Sequence, residues 1–297
     1  MKRSPLAIIW LLPSLLPFSQ PVSAEWLLDS SIALQINDNL PNASLDQDIK
    51  SDTAFDFGFS PGFYSQISGA TSLAVSADLG ITRQFDYKDL DLIAIGLTGS
   101  VRHKFGLGNS APWARIAGSA SYLEYKDGQR DGWFYAASIE GGKQLAEQLS
   151  IWGGYRFELR RAEQIISIPA LVSNFGIGGE AFDTAAHNLD INAAYQINNQ
   201  LSLVFGYVFR AGEITATTLR NAEIFEASDA IAKDLAFGPD RFAYRIEADT
   251  NRYSIGLSLA CNNHMSLNAT YVYQDSDAYE DLSYSNNLVR VELLYSY

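Results

Sequence analysis

The last strand-like segment of the chain constrains its fold most. From Leu288 onward, Val289, Val291, Leu293, Tyr295 and Tyr297 share one parity, while Arg290, Glu292 and Ser296 share the other. Successive side chains of a β-strand point to opposite faces, so this segment is a strand with one apolar and one polar side. It ends the chain on an aromatic residue of the apolar set.

The same alternation recurs along the chain. Twelve segments carry it, at about 26–37, 52–60, 71–85, 91–105, 113–125, 133–143, 149–160, 188–197, 201–210, 252–261, 265–274 and 286–297. Most approach the roughly 9–11 residues that a tilted strand needs to cross a bilayer. In 149–160, Leu149, Ile151, Tyr155, Phe157 and Leu159 oppose Ser150, Arg156, Glu158 and Arg160. Connections alternate between tight turns (145–148, 198–200, 262–264) and longer loops (38–51, 161–187, 211–251, 275–285). A soluble β-sandwich also alternates, but it has no need of so many long, aromatic-ended strands.

Residues 1–24 read as a secretory signal peptide. Lys2 and Arg3 give a positive start, Leu6 to Phe18 an apolar stretch, and Val22-Ser23-Ala24 a small-residue cleavage site. An uncleaved anchor is the rival reading, although Pro13 and Pro17 interrupt a run already short for a span. Charge is strongly acidic, 21 Lys and Arg against 34 Asp and Glu. Nucleic-acid binding needs a basic face and is disfavoured. Cys261 stands alone, which rules out an internal disulfide.

Signal, alternating strands and terminal aromatic together resemble bacterial outer-membrane β-barrel proteins. The likeness is to the class and to no particular subfamily. It implies an all-β fold: a single transmembrane antiparallel barrel over 25–297 of about 12 strands, with ten or fourteen as alternatives. Both termini are then periplasmic, in the outer membrane of a Gram-negative bacterium. In that class a C-terminal strand such as Val291, Leu293, Tyr295 and Tyr297 is the assembly signal. The partners implied are outer-membrane lipid, the barrel-assembly machinery and small polar solutes.

With the apolar parity facing lipid, the inward residues follow. Segments three to six present small ones, among them Ala74, Ser76, Gly80, Thr98, Ser100, Ala117, Ser119 and Ser138. A twelve-stranded barrel has a backbone radius on the order of 12 Å, so small inward side chains leave open space. Asp29, Asp52, Asp56 and Asp78 form an acidic wall on the first three strands. Arg156, Glu158, Arg160, Asp190 and Arg210 form a mixed cluster on later ones. Such walls either set a transverse field across a pore or brace the barrel through ion pairs.

Two loops stand out. Loop 161–187 holds the apolar run Ile165 to Val172, which either folds into the mouth or forms a surface patch. Loop 211–251 predicts a helix over Asn221–Leu235, capped by Asn221 and stopped by Gly238-Pro239, as a lid or a rim cover. Residues 241–250 extend the following strand beyond the membrane.

Catalytic and metal-binding signals are weak. His187 stands near Asp183 and Asp190, as acid–histidine pairs do at the rim of some surface proteases, but a matching acidic pair is not evident. His103 lies on the lipid-facing parity, and His264 sits in a turn. Their spacing with Cys261 gives no metal-ligand pattern, and no cofactor motif appears. The expectation is a narrow channel for small polar or charged solutes. A non-conducting barrel that binds a partner or assists export comes second, and a rim hydrolase third.

Overall fold

The computed structural model describes residues 24–163, 180–278 and 282–297. The strands are β1 (Ala24–Asn37), β2 (Asp52–Ser68), β3 (Thr71–Gln84), β4 (Leu92–Lys104), β5 (Trp113–Tyr125), β6 (Gly132–Ala146), β7 (Leu149–Ala162), β8 (Thr184–Gln196), β9 (Leu201–Leu219), β10 (Ala230–Lys233), β11 (Arg241–Ala260), β12 (Met265–Ala278) and β13 (Ser283–Ser296). All but the four-residue β10 pair in one antiparallel ring, each with its chain neighbours. Strand β9 pairs with β11, and β13 pairs with β1 from Asp29↔Ser296 to Asn37↔Leu288, which closes a twelve-stranded barrel. Closure leaves no ring strand with an unpaired edge, so the backbone is satisfied without water.

The terminal strand makes that closure. Val291 lies opposite Leu34 and Leu293 opposite Ile32, and Tyr297 exchanges two backbone hydrogen bonds with Leu28 (3.0 and 3.1 Å). Apolar side chains point outward around the whole ring. Ile95, Leu97 and Ile116 are each more than 60% exposed, at 62, 63 and 63%. A protein surrounded by water would hide these side chains; a belt of them at mid-strand is a lipid-facing surface.

Three strands exceed their sequence-based bounds for identifiable reasons. Strand β2 runs through Pro61 to Ser68 rather than stopping near residue 60. Pro61 pairs with Leu28 on the β1 side, while the ladder to β3 lapses at residues 60–61, so the missing N–H leaves no broken bond there. Strands β9 and β11 continue as a hairpin well above the ring, through Gly212–Leu219 and Arg241–Ala248.

Helix 221–235 forms only in its first turn, α1 (Ala222–Glu226). Asn221 caps it as expected, its side chain accepting from Glu223 N (2.8 Å) and Ile224 N (3.1 Å). Chain 230–233 then becomes β10, because pairing with β11 and burial of Ile231 outweigh helical periodicity. The apolar run 165–172 lies outside the described residues.

Candidate functional site: a capped, charged lumen

The two rims of the barrel differ. One carries the termini and the turns after β2, β4, β6, β8 and β11; the other, the long-loop rim, carries the remaining connections, among them β1–β2, β7–β8 and β9–β11. At the long-loop rim the β9–β11 hairpin leaves the ring at Gly212, the last β9 residue paired with β8. Its φ of 148° is a conformation that residues with a side chain rarely adopt, and a Cβ there would press into the Ala185 carbonyl. Beyond it, β9, β11 and β10 form a three-stranded lid.

The lid touches all five other connections of this rim. Thr217 N donates to the Pro41 carbonyl (2.8 Å), and Thr218 and Arg241 both bond the Asp48 carboxylate, in the β1–β2 loop. Phe237 packs on Tyr87 of the β3–β4 loop, ring centroids 5.0 Å apart. Asp234 accepts from Arg130 of the β5–β6 loop at 2.6 Å. Thr215 donates to the Ala181 carbonyl in the β7–β8 connection (2.7 Å). Leu282 and Tyr284, at the end of the β12–β13 connection, pack on Ile214, Ile224, Ile231, Tyr244 and Ile246. Half-way round a twelve-stranded ring from β9 lies β3, so the contact to Tyr87 joins the lid to the loop that rises from the opposite wall.

Arg130 fastens the lid. It donates to Asp234 and to Asp127 (2.7 Å), and its guanidinium carbon lies 4.5 Å from the Phe182 ring centroid. Asp234 is fully buried and also accepts from Thr217. Burial holds the Asp127 carboxyl above its ordinary range, although Arg130 pulls it down. Beneath the lid lies a cavity of about 240 Å³ bordered by Thr215, Thr217, Arg130, Arg160, Tyr125 and Phe237.

Below this cavity the interior is not a packed core. Among the described residues the largest fully buried side chains, Tyr244, Tyr284, Ile224, Ile231 and Ile246 foremost, belong to the lid and its contacts. The inward positions of β3–β6 are small, as the alternation predicts, and charges punctuate them.

The inward charges separate into local pairs. Asp56 binds Arg290, which also bonds Glu292 (2.9 Å), and accepts from Thr82 (2.8 Å). Asp78 accepts from Thr98 (2.7 Å) and Ser76 (2.9 Å), and Asp29 from Ser296. Asp52 sits at the long-loop rim, where its carboxylate ties down the amides of Asp86 (3.1 Å) and Tyr87 (3.0 Å). The four acids are thus strung along the depth of β1–β3.

On the far wall Arg156 pairs with Glu158 (3.0 Å), and Asp190 accepts from Asn192 (2.7 Å). Arg160 instead reaches up to the Arg130 carbonyl (2.8 Å), and Arg210 to the Glu213 carbonyl (2.6 Å). Ring order places β2 opposite β8 and β3 opposite β9, so the acidic wall does face this cluster across the lumen. Sequence reading passed over Arg130 and Asp234, since both lie in connections; the signal available was an Arg between two acids in a short loop.

His187 and Asp190 do not meet. His187 is outward, with Nδ1 2.6 Å from the Tyr155 hydroxyl, while Asp190 is inward. Asp183 is engaged by Arg161 (3.3 Å) and the Ala162 amide (2.6 Å).

This is the fold of bacterial outer-membrane β-barrels. The chain is similar to an outer-membrane channel from Pseudomonas putida F1, at 12% identity and a TM-score of 0.53, over 94% of this chain and 97% of that one. Similarity also extends to the NanC porin (10% identity, TM-score 0.46, 90% and 98% of the two chains) and to the translocator domain of the autotransporter NalP from Neisseria meningitidis (11%, 0.44, 91% and 88%). At these identities the likeness is one of fold. No protein-family model matches the chain, and no curated protein matches it in sequence.

Proposed function

We propose that this protein is a porin-like outer-membrane channel for passive diffusion of small polar or charged solutes, closed at one mouth by the β9–β11 lid. The observation that carries this reading is the contrast between the lid, where the large side chains are packed, and the wall beneath it, lined by small and charged residues. Water and polar solutes suit such a wall, and hydrocarbon does not. Arg156–Glu158 and Arg290–Asp56 supply fixed charges along the path.

In this reading residues 1–24 are a cleaved signal and both termini face the periplasm of a Gram-negative cell. The strand ending at Tyr297 is presented to the barrel-assembly machinery. Loop 161–187 adds to the constriction, which is supported by Phe182 reaching from its end onto Arg130.

A non-conducting barrel that binds a partner is the second reading, favoured by the number of bonds that fasten the lid. Single-channel conductance of the refolded chain in a planar bilayer separates the two. A companion variant replaces 213–247 with a short turn. Discrete openings in the intact protein support the channel; an intact protein that stays silent supports the second reading, and openings on lid removal then identify the lid as its plug.

A further inference from the structure

At the terminal rim of the lumen, far from the lid, two cations stand without an acidic partner. Arg102 and Lys104 occupy successive inward positions of β4. Arg115, across from Arg102, is paired with Glu140 at 2.7 Å. Neither Arg102 nor Lys104 has a carboxylate within ion-pair distance among the described residues. They border a recess of about 330 Å³ that also takes in Lys143, Trp113, Trp152 and Asn109.

The two tryptophans that line the recess flank one residue without a side chain. Gly142 on β6 is paired with Trp113 on one side and Trp152 on the other. A Cβ at 142 would stand 2.7 Å from Trp113 Cζ2 and 2.7 Å from Trp152 Cβ, so only glycine lets both residues crowd this spot. The Arg102 guanidinium carbon lies 4.6 Å from the Trp113 ring centroid. That stacking holds the guanidinium plane through its face and leaves its N–H edge free for an acceptor.

We propose that this recess binds a small carboxylate carried on a ring. A carboxylate takes two parallel hydrogen bonds from a guanidinium and a third from the neighbouring ammonium. The ring then packs against indole carbon that would otherwise face water. An inorganic anion satisfies the cations and leaves the indoles uncovered, so it is the poorer occupant. Aromatic carboxylates and ring-form sugar acids share this chemistry. As a stopping point for permeating solutes the recess rests on the channel reading; as a binding site it does not.

The test is isothermal titration of the refolded mature barrel in detergent with sodium benzoate, sodium glucuronate, benzyl alcohol and sodium sulfate. Saturable binding of either carboxylate is expected, at least 10-fold tighter than benzyl alcohol or sulfate, and the two carboxylates identify which ring is preferred. The double variant R102Q/K104Q should weaken it at least 10-fold. K104Q alone should weaken it less, with far-UV circular dichroism unchanged in both. Absence of saturable binding by either carboxylate, equal binding of sulfate, or undiminished affinity in a folded R102Q/K104Q overturns the proposal. A silent barrel that binds benzoate sinks the channel and keeps the recess; a conducting barrel that binds neither carboxylate does the reverse.

Discussion

The guanidinium of Arg130 donates to the Asp234 carboxylate at 2.6 Å, across 104 positions of sequence. This bond joins the β5–β6 loop to the lid, and both side chains are buried. Breaking a buried pair by removing one partner leaves an uncompensated charge, a cost of about 3–5 kcal/mol. Arg130→Gln should therefore release the lid without unfolding the ring. Hydrogen exchange checks this: faster exchange is expected over 212–248, with β3–β6 unchanged. In a planar bilayer the same variant should open more often than the parent.

Gly212 sets where the lid leaves the wall. Gly212→Ala places a Cβ against the Ala185 carbonyl and forces an alanine into a left-handed conformation. Strain of this kind costs about 1–3 kcal/mol. A lowered melting temperature and accelerated exchange of the lid are expected; a melting curve identical to the parent's would show that the hairpin bends elsewhere.

Acid should not loosen the lid through Asp127. Its folded pKa is raised by burial, so the folded state takes up the proton more readily than the unfolded chain. The contribution is fully present below the unfolded value and is lost as pH rises through the folded one. Asp127→Asn, which removes the charge, should make lid exchange at neutral pH slower and flatten its pH dependence. Asp234→Asn should make it faster.

Arg156 and Arg160, four residues apart on one strand face, should separate in function. Arg156 pairs with Glu158 at mid-wall, so Arg156→Gln leaves an acid unbalanced. Reversal potentials in a salt gradient should then shift towards cations. Arg160 donates to the Arg130 backbone, so Arg160→Gln should alter opening frequency with little change in selectivity.

Replacing Arg290 removes a partner from both Asp56 and Glu292 and frees two carboxylates near β1. Arg290→Gln should produce a larger cation shift than Arg156→Gln, measured in the same salt gradient.

Much of the barrel was legible in the chain because its determinants are local. Alternation with a period of two decides which side chains meet lipid, and the tyrosine-ended last strand decides where the ring closes. A strand count near twelve and the inward parity of Asp56, Asp78, Arg156 and Arg290 follow from that pattern; the β13–β1 and β9–β11 pairings settle the count at twelve. The lid was not legible in the same way. Ile224 and Ile231 share a helical spacing that misled, because they come to lie in a helical turn and a strand, and with Tyr244 they meet only after Gly212 redirects the chain. Arg130 and Asp234 sit in connections, where no periodicity marks a partner. Which charges pair depends on register between strands and on loop placement, so Arg160 and Arg210 turn to backbone carbonyls rather than to Asp190. The sequence by itself determined a barrel with a greasy outside and a charged inside, since that requires only each residue's parity. Tertiary structure decided that a three-stranded lid rises from one rim and what fastens it to the neighbouring loops, since those bonds join segments distant along the chain.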